Sequence, residues 1–252
     1  MKRHLLISIA SILTLSVPVY GQNLFEADSG SGTINIFTPG GVQSAFASGL
    51  NEPSGLAFNV AGNLFQTDYG SGSIYEYTPS GTKSTFATGL SAPAKLAFNS
   101  AGNLFVTDYH SGNIYDYTSG GARSTFATGL GQPDGLAFNS AGNLFVADFN
   151  SGNIYEFTPG GVQSTFASGL NAPAGLAIDS AGNLYVAAFN ESVFGGSNTG
   201  SIYKFTPAGT QSTFASGLTY PEGMAFQPVP EPSTWVMLGM GSLVLLSSRR
   251  KA

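Results

Sequence analysis

Cysteine is absent from this chain of 252 residues, and histidine occurs only twice, as His4 and His110. The absence of cysteine excludes disulfides, thiol nucleophiles and thiolate metal ligands. His4 lies in the N-terminal leader described below, which leaves His110 as the only imidazole of the exported body. A metal site with paired histidines, or a triad that needs a second imidazole, is therefore excluded. We expect no catalytic residue, no metal ligand and no cofactor.

Basic residues are also scarce. Lys and Arg number nine against fourteen Asp and Glu, and five of the nine stand at the two ends of the chain: Lys2, Arg3, Arg249, Arg250 and Lys251. Nucleic-acid binding requires clustered Lys or Arg to displace counterions from phosphates. The remaining Lys83, Lys95, Arg123 and Lys204 form no such cluster in the sequence, so we expect no nucleic-acid partner.

The N-terminus has the three parts of a secretory signal peptide. Residues 1–4 carry positive charge, residues 5–17 are apolar, and Val19 and Gly21 are the small residues expected before a cleavage site. We therefore predict a signal peptide over residues 1–21, removed by signal peptidase. A signal anchor that is never cut is the alternative, and in both cases the body is exported.

The C-terminal residues 229–252 begin with Val-Pro-Glu-Pro-Ser-Thr-Trp and continue with an apolar run and a basic cluster. The run from Trp235 to Ser248 has 14 residues, against roughly 20 for a membrane-spanning helix, which favours a short anchor or sorting tail. By the positive-inside rule, Arg249 and Arg250 should stay in the cytoplasm, and the body should lie on the opposite side of the membrane. The alternative is a proline-rich linker before an incidental apolar tail.

This order of parts resembles the PEP-CTERM sorting signal of bacterial exported proteins. The resemblance implies recognition and cleavage by an exosortase near Pro230, Glu231 and Pro232. The protein would then be anchored to the membrane transiently by its C-terminus and afterwards lie at the cell surface or outside the cell.

The sequence between these two ends is an internal repeat. Asn-Leu-(Phe/Tyr) recurs every 40 residues, and the five units span residues 23–62, 63–102, 103–142, 143–182 and 183–228, the last with an eight-residue insertion. Each unit holds four short segments rich in Phe, Tyr, Ile, Val and Thr between turn residues, which predicts strands and hairpins. In the fourth unit the predicted strands are Asn143–Asp148, Ile154–Thr158, Gln163–Ala167 and Gly175–Ile178. The body shows no helical period.

Four strands in about 40 residues is the size of one propeller blade. Residues 22–228 are therefore predicted to form one all-β domain, a single five-bladed β-propeller of four-stranded blades. The repeat resembles the NHL type and, more loosely, the repeats of streptogramin B lyases and gluconolactonase-like propellers. The resemblance implies that Gly-Leu-Ala-Phe is the innermost strand, followed outward by Asn-Leu-Phe, Ile-Tyr and Ser-Thr-Phe-Ala. The chain opens on a second strand at Asn23 and finishes on an innermost one at Gly223–Phe226, so we expect these terminal strands to pair and close the ring.

Two kinds of repeated residue have competing interpretations. Recurrent aromatic residues, such as Tyr115, Phe126, Tyr155 and Phe166, are expected to pack between blades, and an exposed aromatic platform for a sugar is the alternative. An Asp ends the second strand in four units and is replaced by Ala188 in the fifth; the four are Asp28, Asp68, Asp108 and Asp148. Followed by x-x-Ser-Gly, this Asp can accept backbone N–H bonds within its own turn. The alternative is a set of cation sites.

Positions that break the internal pattern point to a candidate site, because the fold did not require those residues. The residue after the repeat proline differs between units, as in Asp134 and Glu222, and its neighbour is Gly in four units but Lys95 in one. These positions precede the innermost strand and should rim the central channel. His110, Glu191 and Phe194 belong to loops expected on the same face. Drift at solvent-facing positions is the alternative explanation.

Three functions remain open at this stage. The first is an exported, non-enzymatic propeller that binds an extracellular glycan or protein, or acts as a structural module, in the cell envelope or extracellular matrix. The second is a cation-dependent hydrolase or lactonase of the gluconolactonase-like type, and the third is a lectin-like binder with one weak site per blade. We favour the first. The sequence does not name a ligand, and the propeller architecture hosts too many functions to supply one.

Overall fold

The computed structural model describes residues 23–189 and 199–219, together with Pro221 and Met224. All regular structure in this part of the chain is β, in 19 strands that form five antiparallel sheets. Within the described ranges no helix is long and apolar enough to cross a membrane. The prediction of an all-β body is confirmed.

The strands follow the repeat, and each sheet is one blade. Blade I contains β1 (Leu24–Asp28), β2 (Thr33–Phe37) and β3 (Gln43–Ala47). Blade II contains β4 (Pro53–Phe58), β5 (Leu64–Asp68), β6 (Ser73–Tyr77) and β7 (Lys83–Ala87). Blade III contains β8 (Pro93–Phe98), β9 (Leu104–Asp108), β10 (Asn113–Tyr117) and β11 (Arg123–Ala127). Blade IV contains β12 (Pro133–Phe138), β13 (Leu144–Asp148), β14 (Asn153–Phe157) and β15 (Gln163–Ala167), and blade V contains β16 (Pro173–Ile178), β17 (Leu184–Phe189), β18 (Thr199–Phe205) and β19 (Gln211–Thr219).

The innermost strands line a central channel. In blades II to V each sheet keeps its strands in chain order, with the Gly-Leu-Ala strand at one edge and the Ser-Thr-Phe-Ala strand at the other. Neighbouring innermost strands β4, β8, β12 and β16 contact one another in that sequence, and β1 contacts β4. The predicted five-bladed propeller and its strand order are confirmed.

The segment predicted to complete blade I, Gly223–Phe226, lies outside the described residues except for Met224. Met224 lines the channel together with the leucines that hold the same place in the other repeats, namely Leu56, Leu96, Leu136 and Leu176. Pro221 lies against Gly200 of β18 in blade V, so close that a Cβ on that glycine would overlap the proline ring. Both positions agree with a chain that turns from β19 towards the channel.

A bulge at the start of the four described innermost strands was not predicted. In blade V, Pro173 pairs with Ala188 and Leu176 pairs with Val186, so two residues of β16 stand opposite one residue of β17. The strand therefore begins at Pro173, two residues before the predicted start at Gly175. The same irregularity recurs in blades II, III and IV. Bulges bend a strand and redirect side chains, and they are common beside functional sites.

The hydrophobic core lies between blades rather than within one of them. All five residues of β13 are buried, as expected for a strand with apolar neighbours on both faces. The Phe126 ring lies 5.0 Å from Phe105 in its own blade and 5.6 Å from Phe157 in the next. Phe166 does the same between blades IV and V, and Tyr115 and Tyr155 are partly buried in these clusters. The prediction of inter-blade packing is confirmed.

The seam between blades V and I is the exception. Leu24 is 64 % exposed, although its equivalents Leu64, Leu104 and Leu144 are each 1 % exposed. On the facing side Phe214 is 62 % exposed. Glu26 is exposed as well, whereas its equivalents Gln66, Val106, Val146 and Val186 are buried.

Candidate functional site

The top face of the propeller is formed by the turns between second and third strands and by the connections that enter each innermost strand. Backbone hydrogen bonds join these two kinds of loop. In blade II the Tyr69 N–H donates to the Glu52 carbonyl at 3.1 Å and the Gly70 N–H donates to the Asn51 carbonyl at 2.9 Å. In blade III the His110 N–H donates to the Ser91 carbonyl at 3.1 Å. In the described blades these two kinds of loop therefore share one face, and His110 lies on it.

The repeated aspartates hold this face together. Asp148 Oδ1 accepts from Ser151 N at 3.2 Å in its own turn, as the sequence predicts. The same carboxylate also accepts from Gly131 N at 2.7 Å and Gln132 N at 2.9 Å, in the connection that leads into the blade. Asp68 likewise accepts from Ser71 N and Asn51 N. Sequence reasoning found the turn contact and missed the second one, which fixes the connection 16 or 17 residues earlier.

These hydrogen bonds occupy the buried carboxylates of Asp68 and Asp148 with backbone donors, which is the structural role that the sequence favoured over cation sites. In blade III, Asp108 Oδ2 accepts from Ser91 N, and its Oδ1 is buried without a partner among the described residues. Among the residues that the structure describes, no three His, Cys, Asp or Glu side chains come together as metal ligands.

Lys95 enters the channel at a position where other repeats have glycine. In those repeats the backbone of the next blade comes close, so that a Cβ on Gly135 would overlap the Ala174 carbonyl oxygen. Lys95 occupies this place in blade III, where its N–H donates to Thr107 Oγ1 at 3.0 Å. Its Nζ donates to Ser54 Oγ at 3.1 Å across the seam to blade II. Both residues line a channel cavity of about 260 Å³.

Four aromatic side chains form an arc on the top face that the sequence analysis did not identify. Each one follows the repeated Asp position, and neighbouring ring centroids are 6.0–6.1 Å apart: Tyr69, Tyr109, Phe149 and Phe189. We call these four residues the aromatic arc. Blade I has Ser29 at this position, so the arc is broken there. The sequence feature that could have revealed the arc is an aromatic residue that recurs immediately after the end of the second strand, where packing between blades does not require one.

His110 and Gln132 fix the tyrosines of the arc. His110 Nε2 and the Tyr69 hydroxyl form a hydrogen bond of 3.1 Å, and the Tyr109 hydroxyl donates to Gln132 Oε1 at 3.1 Å. Burial raises the pKa of Tyr109 to about 12, with a further contribution from the negative charge of Asp134. Burial also raises the pKa of Tyr69, assisted by the charges of Glu52 and Asp134. Both phenols therefore stay neutral at physiological pH.

A pocket of about 410 Å³ opens where the arc is broken. It lies between blades I and II and is lined by Ser29, Gly30, Glu52, Ser54 and Tyr69. Ser54 also lines the channel cavity, so the two spaces adjoin at the hydroxyl that Lys95 contacts. Its described lining residues offer one carboxylate, two serine hydroxyls and one tyrosine ring.

The structure brings three of the predicted binding residues to the top face. Lys95 lies at the channel, His110 contacts Tyr69, and Asp134 is near enough to Tyr69 and Tyr109 to raise the pKa of both. Their role in binding stays a prediction. The other predicted residues lie outside the described part of the chain: Glu191, Phe194, Glu222, Pro230, Glu231, Pro232, Arg249 and Arg250. Glu52, Ser29 and Tyr69 were not predicted.

Solved structures share this fold at low sequence identity. A propeller in a nidogen/laminin complex is 24% identical with a TM-score of 0.71, and the match covers 82% of each chain. A gluconolactonase from Xanthomonas campestris is 18% identical with a TM-score of 0.70, covering 80% of this chain and 74% of that one. Virginiamycin B lyase from Staphylococcus aureus is 16% identical with a TM-score of 0.66, covering 81% and 71%. Enzymes and a component of a protein complex are both present, so the likeness establishes the fold alone. None of the curated proteins matches the sequence.

The C-terminal residues match one family model. Residues 228–251 match the PEP-CTERM protein-sorting motif, in agreement with the resemblance carried by Pro230, Glu231 and Pro232. The motif implies export and anchoring of the C-terminus in the membrane before processing. The chain is therefore a five-bladed β-propeller that carries a PEP-CTERM sorting motif at its C-terminal end.

Proposed function

We propose that this exported propeller is a non-enzymatic binding module, which takes a ligand of the cell envelope or extracellular matrix on its top face. The observation that carries the proposal is the broken aromatic arc with a pocket in the break. Concave sites with aromatic walls and a few convergent polar groups are the usual location of ligands.

The state of the ionisable groups supports binding over catalysis. The buried carboxylates of Asp68 and Asp148 accept backbone N–H bonds. The Tyr69 and Tyr109 pKa values are raised, which keeps both phenols protonated. His110 uses Nε2 for Tyr69, so it is paired with a phenol of raised pKa rather than with an activated nucleophile.

A hydrolase is the second candidate, and one contact favours it. Ser54 Oγ and Lys95 Nζ are 3.1 Å apart beside the channel cavity, and a hydroxyl next to an amine is one form of activated nucleophile. Hydrolysis of lactones or esters by the exported protein, abolished by Ser54→Ala, would establish this function. Absence of hydrolysis together with saccharide or protein binding supports the binding module.

Binding is tested on the exported, processed protein purified from its host. We expect at least one component of the envelope or matrix to bind, and we expect one of two top-face variants to weaken it: Phe149→Ala in the aromatic arc or Ser29→Tyr in its break. Val162→Ala is the matched control, because Val162 is 68 % exposed in a turn between third and fourth strands, on the opposite face. Binding by both top-face variants that equals that of Val162→Ala, with parental melting temperatures, contradicts the proposal.

Export is proposed to proceed through signal peptidase after residue 21 and an exosortase near the Pro-Glu-Pro segment, so that residues 22–228 form the mature domain. Replacing Pro230, Glu231 and Pro232 by alanine should leave the C-terminus unprocessed and the protein in the membrane fraction. The measurement is the mass of the protein recovered from its host. An identical mass for variant and parent would rule out this processing step.

A further inference from the structure

We propose that the pocket in the break of the aromatic arc binds a neutral saccharide. This inference rests on the proposed function and adds the place of the site and the chemical class of the ligand. The pocket volume of about 410 Å³ falls in the range of small-molecule pockets, about 300 to 1,000 Å³.

An aromatic ring forms one wall of the pocket. Tyr69 lines the pocket, and its hydroxyl is held by His110 at 3.1 Å, while Tyr109 lies beside it with a centroid distance of 6.1 Å. The Tyr69 ring is therefore fixed before a ligand arrives. A preset ring reduces the entropy cost of binding, and the C–H face of a sugar ring offers an apolar surface to stack on it.

The pocket contains both donors and acceptors of hydrogen bonds. The Glu52 carboxylate can only accept hydrogen bonds, whereas the Ser29 hydroxyl can both donate and accept. Ser54 Oγ already accepts from Lys95 Nζ, so its own hydrogen is free to be donated into the pocket. Sugar hydroxyls donate and accept in the same way, and this combination of partners suits a polyol.

Charges of both signs border the pocket. Glu52 and Asp134 both raise the pKa of Tyr69, so the potential at this ring is negative, whereas the Lys95 ammonium lies 3.1 Å from Ser54 Oγ on the channel side. The pocket therefore does not present a single sign of charge to a charged saccharide. Among the described residues Tyr69 is the only aromatic one that lines the pocket, whereas a quaternary ammonium group is favoured by a cage of several rings. A neutral ligand fits these conditions best.

The repeat itself supplies variants that the fold already accepts. Ala92 and Ala172 hold the position that Glu52 has in its repeat. All three residues have positive φ angles: 56° for Glu52, 70° for Ala92 and 44° for Ala172. Glu52→Ala should therefore remove the carboxylate without disturbing the backbone. Ser29→Tyr places in blade I the residue that blades II and III carry at this position, which should complete the arc and fill the pocket.

The test is a binding titration of the exported protein with neutral gluco-, manno- and galacto-oligosaccharides, with polygalacturonate as the anionic probe and an oligolysine peptide as the cationic one. We expect at least one neutral series to bind. Ser29→Tyr should abolish this binding and Glu52→Ala should weaken it about tenfold or more, as loss of a hydrogen bond to a charged group does. Val162→Ala should bind as the parent does.

Two outcomes overturn the inference, and they differ in what they say about the proposed function. Binding of a protein, or of the charged probes only, that depends on Phe149 and is unchanged in Ser29→Tyr leaves the binding module intact and rejects the saccharide pocket. A parent protein that binds no neutral oligosaccharide and no envelope component contradicts both. Melting temperatures of the variants exclude misfolding as the cause of any loss.

Discussion

The seams between blades and the top face of the same blades come from the same five repeats, yet the seams repeat their contacts and the top face does not. At four successive seams an outer-strand phenylalanine meets a third-strand aromatic residue of the next blade at 5.4–5.8 Å between ring centroids: Phe46 with Tyr77, Phe86 with Tyr117, Phe126 with Phe157, and Phe166 with Phe205. At the top, one equivalent position carries Glu52, Ala92, Gln132 and Ala172. Packing requires similar residues at the buried positions of every repeat, whereas residues at the top face differ between repeats because packing does not constrain them. Divergence within near-identical repeats therefore marks the candidate site.

The seam between blades V and I is less well packed than the other seams. Phe37 holds the place of Phe157 in the repeat, but it is partly exposed, whereas Phe157 is 1 % exposed. Asn35 stands where the other blades have tyrosine and accommodates Glu26 through a hydrogen bond of 2.8 Å. Blade I is thus more polar towards blade V than any other blade is towards its neighbour in the described structure.

Truncating the two equivalent phenylalanines gives the largest expected contrast. Phe157→Ala leaves a cavity in a closed seam and should lower the free energy of unfolding by about 4 kcal/mol. Phe37→Ala should cost about 1 to 2 kcal/mol, because part of its ring is already in water. Denaturant unfolding measures both. Equal losses would show that the seam between blades V and I is as tightly packed as the others.

The aspartate contacts at the top face give the next contrast. Asp148→Ala removes an acceptor for three backbone N–H groups and should cost about 2 to 3 kcal/mol. Asp28→Ala is the matched variant in blade I, where the carboxylate accepts from Gly30 N and Ser31 N of its own turn, and its loss should be smaller. A larger loss of stability for Asp28→Ala than for Asp148→Ala would contradict the idea that hydrogen bonds to the connection between blades supply most of the stabilisation.

Alkaline unfolding tests the interior tyrosine of blade II. Burial raises the pKa of Tyr77 to about 12, against about 10 in an unfolded chain. Between these pH values the unfolded chain ionises and the folded protein does not, so the stability present below pH 10 is lost as the pH rises towards 12. Tyr77→Phe, the residue type found at Phe157, should reduce this loss in thermal melts. Identical pH profiles for variant and parent would refute the assignment.

The smallest predicted change in stability comes from the single methylene group by which Glu is longer than Asp. Asn63 Nδ2 donates to Glu76 Oε1 at 2.6 Å and Asn143 Nδ2 donates to Glu156 Oε1 at 2.7 Å. Blade III has the shorter Asp116, whose Oδ1 is buried without a hydrogen-bond partner in the described residues and whose pKa is raised by burial. Asp116→Glu should stabilise the protein by about 1 kcal/mol. The reverse change, Glu156→Asp, should destabilise it by a similar amount, and the same sign for both changes would reject the explanation.

The regular repeat explains why so much of the fold could be predicted. Strand β15 has the predicted bounds Gln163–Ala167, because period-two alternation and flanking glycines define it locally. The start of β16 at Pro173 could not be predicted, because the bulge depends on how the next blade approaches. Local patterns fix strands, whereas contacts between repeats fix irregularities.

The same distinction applies to the candidate site. Lys95, His110 and Asp134 were found because each breaks the repeat. Tyr69 was missed because it conforms to the repeat, as Tyr109 does, and its significance appears only when Ser29 leaves a gap beside it in three dimensions. Glu52 was missed because its pocket is built from two blades.

The central claim is that the top face, at the break in the aromatic arc, is where this propeller binds. Hydrogen exchange of the exported protein with and without its strongest-binding saccharide tests it directly. The account predicts added amide protection in residues 29–32, 51–55 and 69–72, and none in the opposite turns at 59–62 and 78–81. Protection confined to those opposite turns, or no change at the top face at saturating ligand, would contradict the claim.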